Sequence, residues 1–352
     1  MEGQLFYQTT NNHYNDPGGW VPTDDKHKSL SQGFDFQTYV TVLQNFVITA
    51  GTEIENERLE STKFSEKERT KQSVFVQTEL DKSLFLLGIN SIFRLIPAVR
   101  WDKYTDFDAQ TSPKIGALVS IGDYFTLRGN VGKSFRVPAF FDLYWPEDDY
   151  TKGNPNLLPE KSTDFDFGIL IRKSGNQHLQ FESTYFQNDF EDLILWKSDT
   201  DWKWAPFNVG QAKISGFENN VLYRLPKNLV HFKLAYTKMK AIDNTPESAN
   251  KDKRLIYRPD DKLDLSAGFQ LNPITANISY SLVGERFTKD DNSESLPGYR
   301  LVNGNISSSF PINNMTLDAK LEVINLLDKN IYILDGYPIP GREFRFSVGL
   351  KY

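Results

Sequence analysis

Apolar and polar residues alternate with period two along most of this chain, and the repeat runs from one end to the other. Phe344, Phe346, Val348 and Leu350 alternate with Arg345, Ser347, Gly349 and Lys351. Phe125, Leu127 and Val131 alternate with Thr126, Arg128 and Asn130, and Met315, Leu317, Ala319, Leu321 and Val323 with Thr316, Asp318, Lys320 and Glu322. Successive side chains of a strand point to opposite faces, so each run has one apolar and one polar face. No long helical pattern competes. With 26 Phe and 16 Tyr against 3 Met, the composition also leans toward strands.

The connections between these runs alternate in length. Short turn signals lie near 43–45, 81–83, 122–123, 174–177, 226–228, 272–273 and 311–314. Between them are longer polar stretches near 11–28, 60–69, 105–111, 144–159, 197–206, 243–255, 288–298 and 328–340. This spacing predicts about sixteen strands in an all-β antiparallel meander with short turns at one end and long loops at the other, the layout of a transmembrane β-barrel. Each strand is long enough for the 9–11 residues that cross hydrocarbon at a tilt. A soluble propeller or sandwich would also alternate, but its connections should be comparably short at both ends. A dry core would also leave the Arg, Lys, Glu and Asn of the polar rows unsatisfied. The polar rows suit a hydrated lumen.

Composition removes other classes. Cysteine is absent, and a net charge of -6 without a basic block disfavours nucleic acid. The most apolar stretch, 84–99, is interrupted by Asn90, Ser91, Arg94 and Pro97, so no helix crosses a membrane. The start, MEGQLFY, has neither the basic nor the apolar region of an export signal, so the chain reads as a mature or truncated segment or as cytoplasmic.

Four motifs give the chain a resemblance to the C-terminal part of a TonB-dependent outer-membrane receptor. They are 132–145 (GKSFRVPAFFDLYW), 153–162 (GNPNLLPEKS), 323–332 (VINLLDKNIY) and 337–352 (YPIPGREFRFSVGLKY), which ends on an aromatic residue. Within that family, 153–162, 185–196 and Gly284–Phe287 with Tyr299 look most like the cobalamin and siderophore receptors. The resemblance implies uptake of a scarce nutrient such as cobalamin or a ferric siderophore, energised by the TonB complex. It further implies a barrel of roughly 22 strands around an N-terminal plug. The whole of 1–352 then reads as barrel, with the plug, the TonB-contacting segment and about six strands lying outside it. The remaining partners implied are outer-membrane lipid and lipopolysaccharide, and the barrel-assembly machinery acting on the C-terminal strand. A passive porin-like channel is the alternative.

Most of the motif residues have structural work to do. Pro138 breaks a strand after Arg136; Gly153 is expected at positive φ; Asn154 and Pro155 make a turn; Pro159 ends the loop before Glu160. Asn325, Gly341, Arg342 and Tyr352 belong to the same construction, with Arg342 expected to pair with carboxylates such as Glu343. The candidate ligand-binding residues are Trp145, Tyr150, Trp196, Trp202, Trp204, Arg286 and Tyr299, since large aromatics give contact area at low entropy cost. Trp145 and Trp196, at strand ends, better suit an interfacial aromatic girdle, whereas Trp202 and Trp204 lie deep in a polar loop. The acidic runs Glu147, Asp148, Asp149 and Asp290, Asp291, Glu294 lack the spacing of a calcium loop, and the four His are scattered. Lumenal Arg128, Arg136, Arg286 and Arg345 are expected to pair with acids. No catalytic constellation, metal site or cofactor is expected.

Overall fold

The computed structural model describes residues 1–18, 23–173, 175, 177–199, 201–208 and 210–351. Its strands are β1 (Glu2–Asp16), β2 (Thr23–Leu43), β3 (Phe46–Ser61), β4 (Lys67–Leu86), β5 (Ile89–Tyr104), β6 (Gln110–Ile121), β7 (Phe125–Arg136), β8 (Glu160–Lys173), β9 (His178–Glu191), β10 (Ile194–Ser198), β11 (Trp204–Asn208), β12 (Gln211–Arg224), β13 (Val230–Asp243), β14 (Asp261–Leu271), β15 (Ile274–Val283), β16 (Arg286–Phe287), β17 (Ser295–Leu296), β18 (Tyr299–Ile312), β19 (Met315–Ile324), β20 (Tyr332–Leu334), β21 (Tyr337–Pro338) and β22 (Glu343–Lys351). Sixteen of these form one sheet, each strand beside the next in chain order, while β10–β11, β16–β17 and β20–β21 are small hairpins within long loops. Every register in the large sheet is antiparallel, and none joins β1 to β22 among the described residues.

The two faces are unlike. Across one, Phe167 lies opposite Gly129 and Tyr185, Leu265 opposite Leu234 and Tyr280, and Leu321 opposite Ile306 and Phe346. These rows are exposed, Phe346 being 71% accessible. The other face is knitted by charge. Lys71 Nζ lies 2.8 Å from both Glu53 and Glu55, Arg100 reaches Glu53 at 2.6 Å and Asp102 at 2.8 Å, and Ser73 donates to the buried Asp102 at 2.6 Å. Apolar rows that face outward unsatisfied by any core, backed by a hydrogen-bonded polar wall, are stable when lipid wets one side and water the other. Consistently, among the described residues the cluster of buried apolar side chains, Leu143, Leu157 and Ile194, lies in the loops rather than between sheets.

Two connections differ from the sequence expectation. The turn expected at 81–83 lies at Leu87–Gly88, whose φ values of 53° and 78° fit the left-handed geometry of a tight hairpin. Asp81 instead remains in β4, forming a two-point ion pair with Arg94 at 2.6 and 2.7 Å. The loop expected over 11–28 is mostly strand, because β1 runs to Asp16 and β2 begins at Thr23. Of the turn expected at 174–177, residues 174 and 176 lie outside the described residues, as does Tyr352.

Candidate ligand-binding site at the rim

At the long-loop end, β7 stops at Arg136 because Pro138, which has no N–H to give, follows. The chain then turns into a single-turn helix, α1 (Phe140–Tyr144), whose Asp142 accepts from Ala139 N at 3.3 Å and from Trp196 Nε1 at 2.8 Å. Arg69, expected only as the end of a polar loop, is 3% exposed and holds this helix in place. Its Nε donates to both oxygens of Asp106 at 3.0 and 2.8 Å, its Nη2 donates to Pro138 O at 3.1 Å, and its guanidinium lies 4.7 Å from the Phe140 ring centre.

The loop after α1 and the β10–β11 hairpin are tied into one cap. Arg136 pairs with Glu160 at 2.5 Å, while the second oxygen of the buried Glu160 accepts from Ile194 N at 2.7 Å. Asn154 Nδ2 donates to Pro206 O at 3.1 Å, and Asn208 binds Leu158 through both N–H and carbonyl at 2.9 and 3.0 Å. Trp204 N donates to Tyr150 O at 2.7 Å and Lys152 N to Trp204 O at 3.0 Å. Ion pairs Lys152–Asp199 (2.6 Å) and Lys203–Glu147 (2.7 Å) close the outer edge.

Gly153 is not at positive φ as expected; it is required by space. A Cβ there would stand 2.6 Å from Trp145 N and 3.0 Å from Leu143 O, both backbone. Gly153→Ala should therefore separate the loop from α1 at about 1–3 kcal/mol of local stability, visible as faster protease cleavage within 137–159. An unchanged cleavage rate would count against this packing.

The candidate aromatics divide into two groups. Trp145 and Trp196 sit within the cap rather than in a girdle on the sheet. Their indole N–H groups are committed, Trp145 to Thr151 Oγ1 at 2.9 Å and Trp196 to Asp142. Tyr150, Trp202 and Trp204 project from the cap, 67%, 86% and 54% exposed. Trp202 sits at φ 64° on a turn organised by Asp199, which accepts from Asp201 N at 2.8 Å and Lys203 N at 2.9 Å. Arg286 and Tyr299 lie elsewhere: the Arg286 guanidinium stacks 4.9 Å from the Tyr299 ring and donates to Ile333 O, Tyr332 O and Pro297 O, each at 3.2 Å. It pairs with carbonyls, not with the acid expected. Arg128 does pair with Glu182, at 2.5 Å. Arg345 takes Glu343 at 2.7 Å, and Arg342 instead donates to Leu326 O at 2.9 Å. Asn325, fully buried, accepts from Lys329 N at 3.0 Å and donates to Lys329 O and Pro340 O at 2.9 and 3.3 Å, while Gly341 lies against Asp328.

Of the acidic runs, Asp148, Asp291 and Glu294 serve their own loops, while Glu147 reaches across to Lys203. Asp148 caps Tyr150 N at 2.8 Å and Thr151 N at 2.7 Å; Asp291 caps Ser293 N at 2.9 Å; Glu294 pairs with Lys289. The described residues hold no group of three or more His, Asp or Glu arranged for a metal ion. The Lys152 ammonium holds the Asp199 carboxyl below its ordinary range, and Lys203 does the same for Glu147. Carboxyls depressed in the folded cap contribute stability above their unfolded pKa and lose it as pH falls through the folded value. Tryptophan emission from the cap should thus stay constant down to about pH 5 and shift below about pH 4; a constant spectrum at lower pH would refute these two clasps.

The family profile described as "TonB dependent receptor-like, beta-barrel" matches residues 2–326. The chain belongs to this family. Its relatives include the vitamin B12 transporter BtuB of Photobacterium profundum, 23% identical over 98% of this chain and 53% of that one. Another is the ferric enterobactin receptor PirA of Pseudomonas aeruginosa, 28% identical over 38% of this chain and 21% of that one. Among solved structures, the P. aeruginosa ferric enterobactin receptor PfeA in complex with enterobactin superposes with a TM-score of 0.75 at 17% identity, over 98% of this chain and 59% of that one. The copper transporter OprC superposes at 0.73 with 18% identity, over 98% and 61%. This TonB-dependent receptor barrel spans about half the length of the curated relatives it matches.

Proposed function

We propose that this chain is the C-terminal part of an outer-membrane receptor that takes up a scarce nutrient, cobalamin or a ferric siderophore, with energy delivered through TonB. The observation that carries this reading over a passive porin is the cap. A diffusion pore needs no ordered frame of exposed aromatics at its mouth, whereas α1 and the β10–β11 hairpin are locked together by committed indole N–H groups and a buried carboxylate. They present Tyr150, Trp202 and Trp204 to the exterior. Rigid aromatics on an ordered frame grip a bulky ligand at low entropic cost. The plug, the TonB-contacting segment and the strands that complete the barrel would come from outside residues 1–352, in keeping with the share of its relatives that the chain spans. The free edge of β22 is the surface the assembly machinery would engage, and lipid and lipopolysaccharide would cover the apolar rows.

Cells carrying the gene should accumulate radiolabelled cyanocobalamin or ferric siderophore, and a protonophore should abolish accumulation. Uptake that persists in the presence of the protonophore would establish the pore instead.

A further inference from the structure

The long loops form two tied bodies, not one. The first is the cap just described. The second joins the β13–β14, β15–β18 and β19–β22 connections. There Arg254 N donates to Asn292 Oδ1 at 2.7 Å, Asn292 Nδ2 returns to Arg254 O at 2.9 Å, Tyr257 N reaches Phe287 O at 2.9 Å, and Arg286 spans to Tyr332 and Ile333. A cleft of about 480 Å³ lies between the bodies, within the range of small-molecule sites. Its apolar lining comes from both, Leu193, Leu195 and Trp196 on one side and Leu255 and Ile256 on the other.

The polar lining divides into occupied and unoccupied groups. Asp243 is taken, accepting from Thr245 N at 2.7 Å and Ser248 Oγ at 2.9 Å, and Arg254 pairs with Asp260 at 2.6 Å. Among the described residues, no hydrogen bond or ion pair engages the side chains of Gln211, Asn250 or Asp290, all of which line the cleft, while the ammonium of the lining Lys197 lies 5.4 Å from the Phe207 ring centre. Two amides, each able to donate and accept, thus stand free beside an apolar surface, with one cation and one anion contributed by opposite bodies.

We propose that this cleft is a ligand site that grips the carboxamide- or hydroxyl-bearing edge of a bulky apolar molecule of little net charge. The site deepens the uptake reading and rests on it. A polyanion is disfavoured because the attraction of Lys197 is offset by Asp290. Gln211 and Asn250 recognise amides by paired donor and acceptor contacts, and Trp196 supplies the flat wall.

The test uses the receptor in isolated outer membranes, with equilibrium binding of labelled cyanocobalamin as the uncharged, amide-bearing probe and ferric enterobactin as the anionic one. Tighter binding of cyanocobalamin is expected. Replacing both Gln211→Ala and Asn250→Ala should weaken it about tenfold, two neutral hydrogen bonds being lost. Gln211 is exposed at the start of β12 and Asn250 lies in the β13–β14 loop, and heat-modifiable gel mobility verifies that the variant has folded. An unchanged affinity in the folded double variant, or preference for ferric enterobactin, overturns the cleft assignment while leaving the uptake reading standing. Binding of neither probe overturns both.

Discussion

Arg69→Ala should release α1 from the barrel wall at about 3 kcal/mol of local stability. Removing one partner of a buried pair strands the other charge, and Asp106 keeps only 23% of its side chain in water. The lost guanidinium also deprives Pro138 O of its donor and Phe140 of its cationic neighbour. Arg69→Lys should rescue little, because one ammonium cannot donate to Asp106 and Pro138 O while stacking on a ring. Protease susceptibility within 137–159, read beside the global unfolding midpoint, separates this local loosening from collapse of the barrel. Wild-type resistance in both variants would show that α1 is held by other means.

The second large effect concerns the membrane face. Leu265→Arg places a guanidinium on the exposed apolar row between Leu234 and Tyr280, and should cost about 2–4 kcal/mol in lipid. Ser266→Arg, one residue along, points to the polar wall and should be nearly neutral. Urea unfolding in lipid vesicles distinguishes the two. Equal costs would mean that the faces have been assigned wrongly, and with them the barrel.

The sheet was legible where lipid writes the pattern and obscure where it does not. Runs such as 344–350 and 315–323 alternate because one neighbour is hydrocarbon. The stretch 11–16 and 23–28 is also strand, yet apart from Tyr14 its residues are Asn, His, Asp, Thr and Lys, since beyond the bilayer both faces are wet and period two has nothing to separate. The misplaced turn has a related cause. Asp81, Lys82 and Ser83 look like punctuation, but Asp81 is neutralised across the strand by Arg94.

At the rim, proline positions were readable because the missing N–H acts locally: Pro138 and Pro159 bracket the loop as their chemistry requires. Gly153 showed that something special happens there without showing whether it was torsion or space. Arg69, Asp142 and Asn208 escaped notice for a common reason. Each acts on a backbone or ring from a different connection, 50 or more residues away in three of the cases seen, Pro138, Trp196 and Leu158. Local pattern carries no trace of such partners. A buried arginine looks the same in sequence as a solvated one.

Strand length varies systematically along the sheet, with 21 and 20 residues in β2 and β4 against 10 and 9 in β19 and β22. At about 3.4 Å per residue and a tilt near 45°, the longer strands rise on the order of 50 Å and the shorter ones about 22–24 Å. The short ones barely clear the hydrocarbon, so above them the exterior end is built from loops alone. The tall ones stand as a stiff parapet well clear of the hydrocarbon. A visitor approaching from that flank meets fixed hydrogen-bonded wall, and any yielding of the entrance must come from the low side.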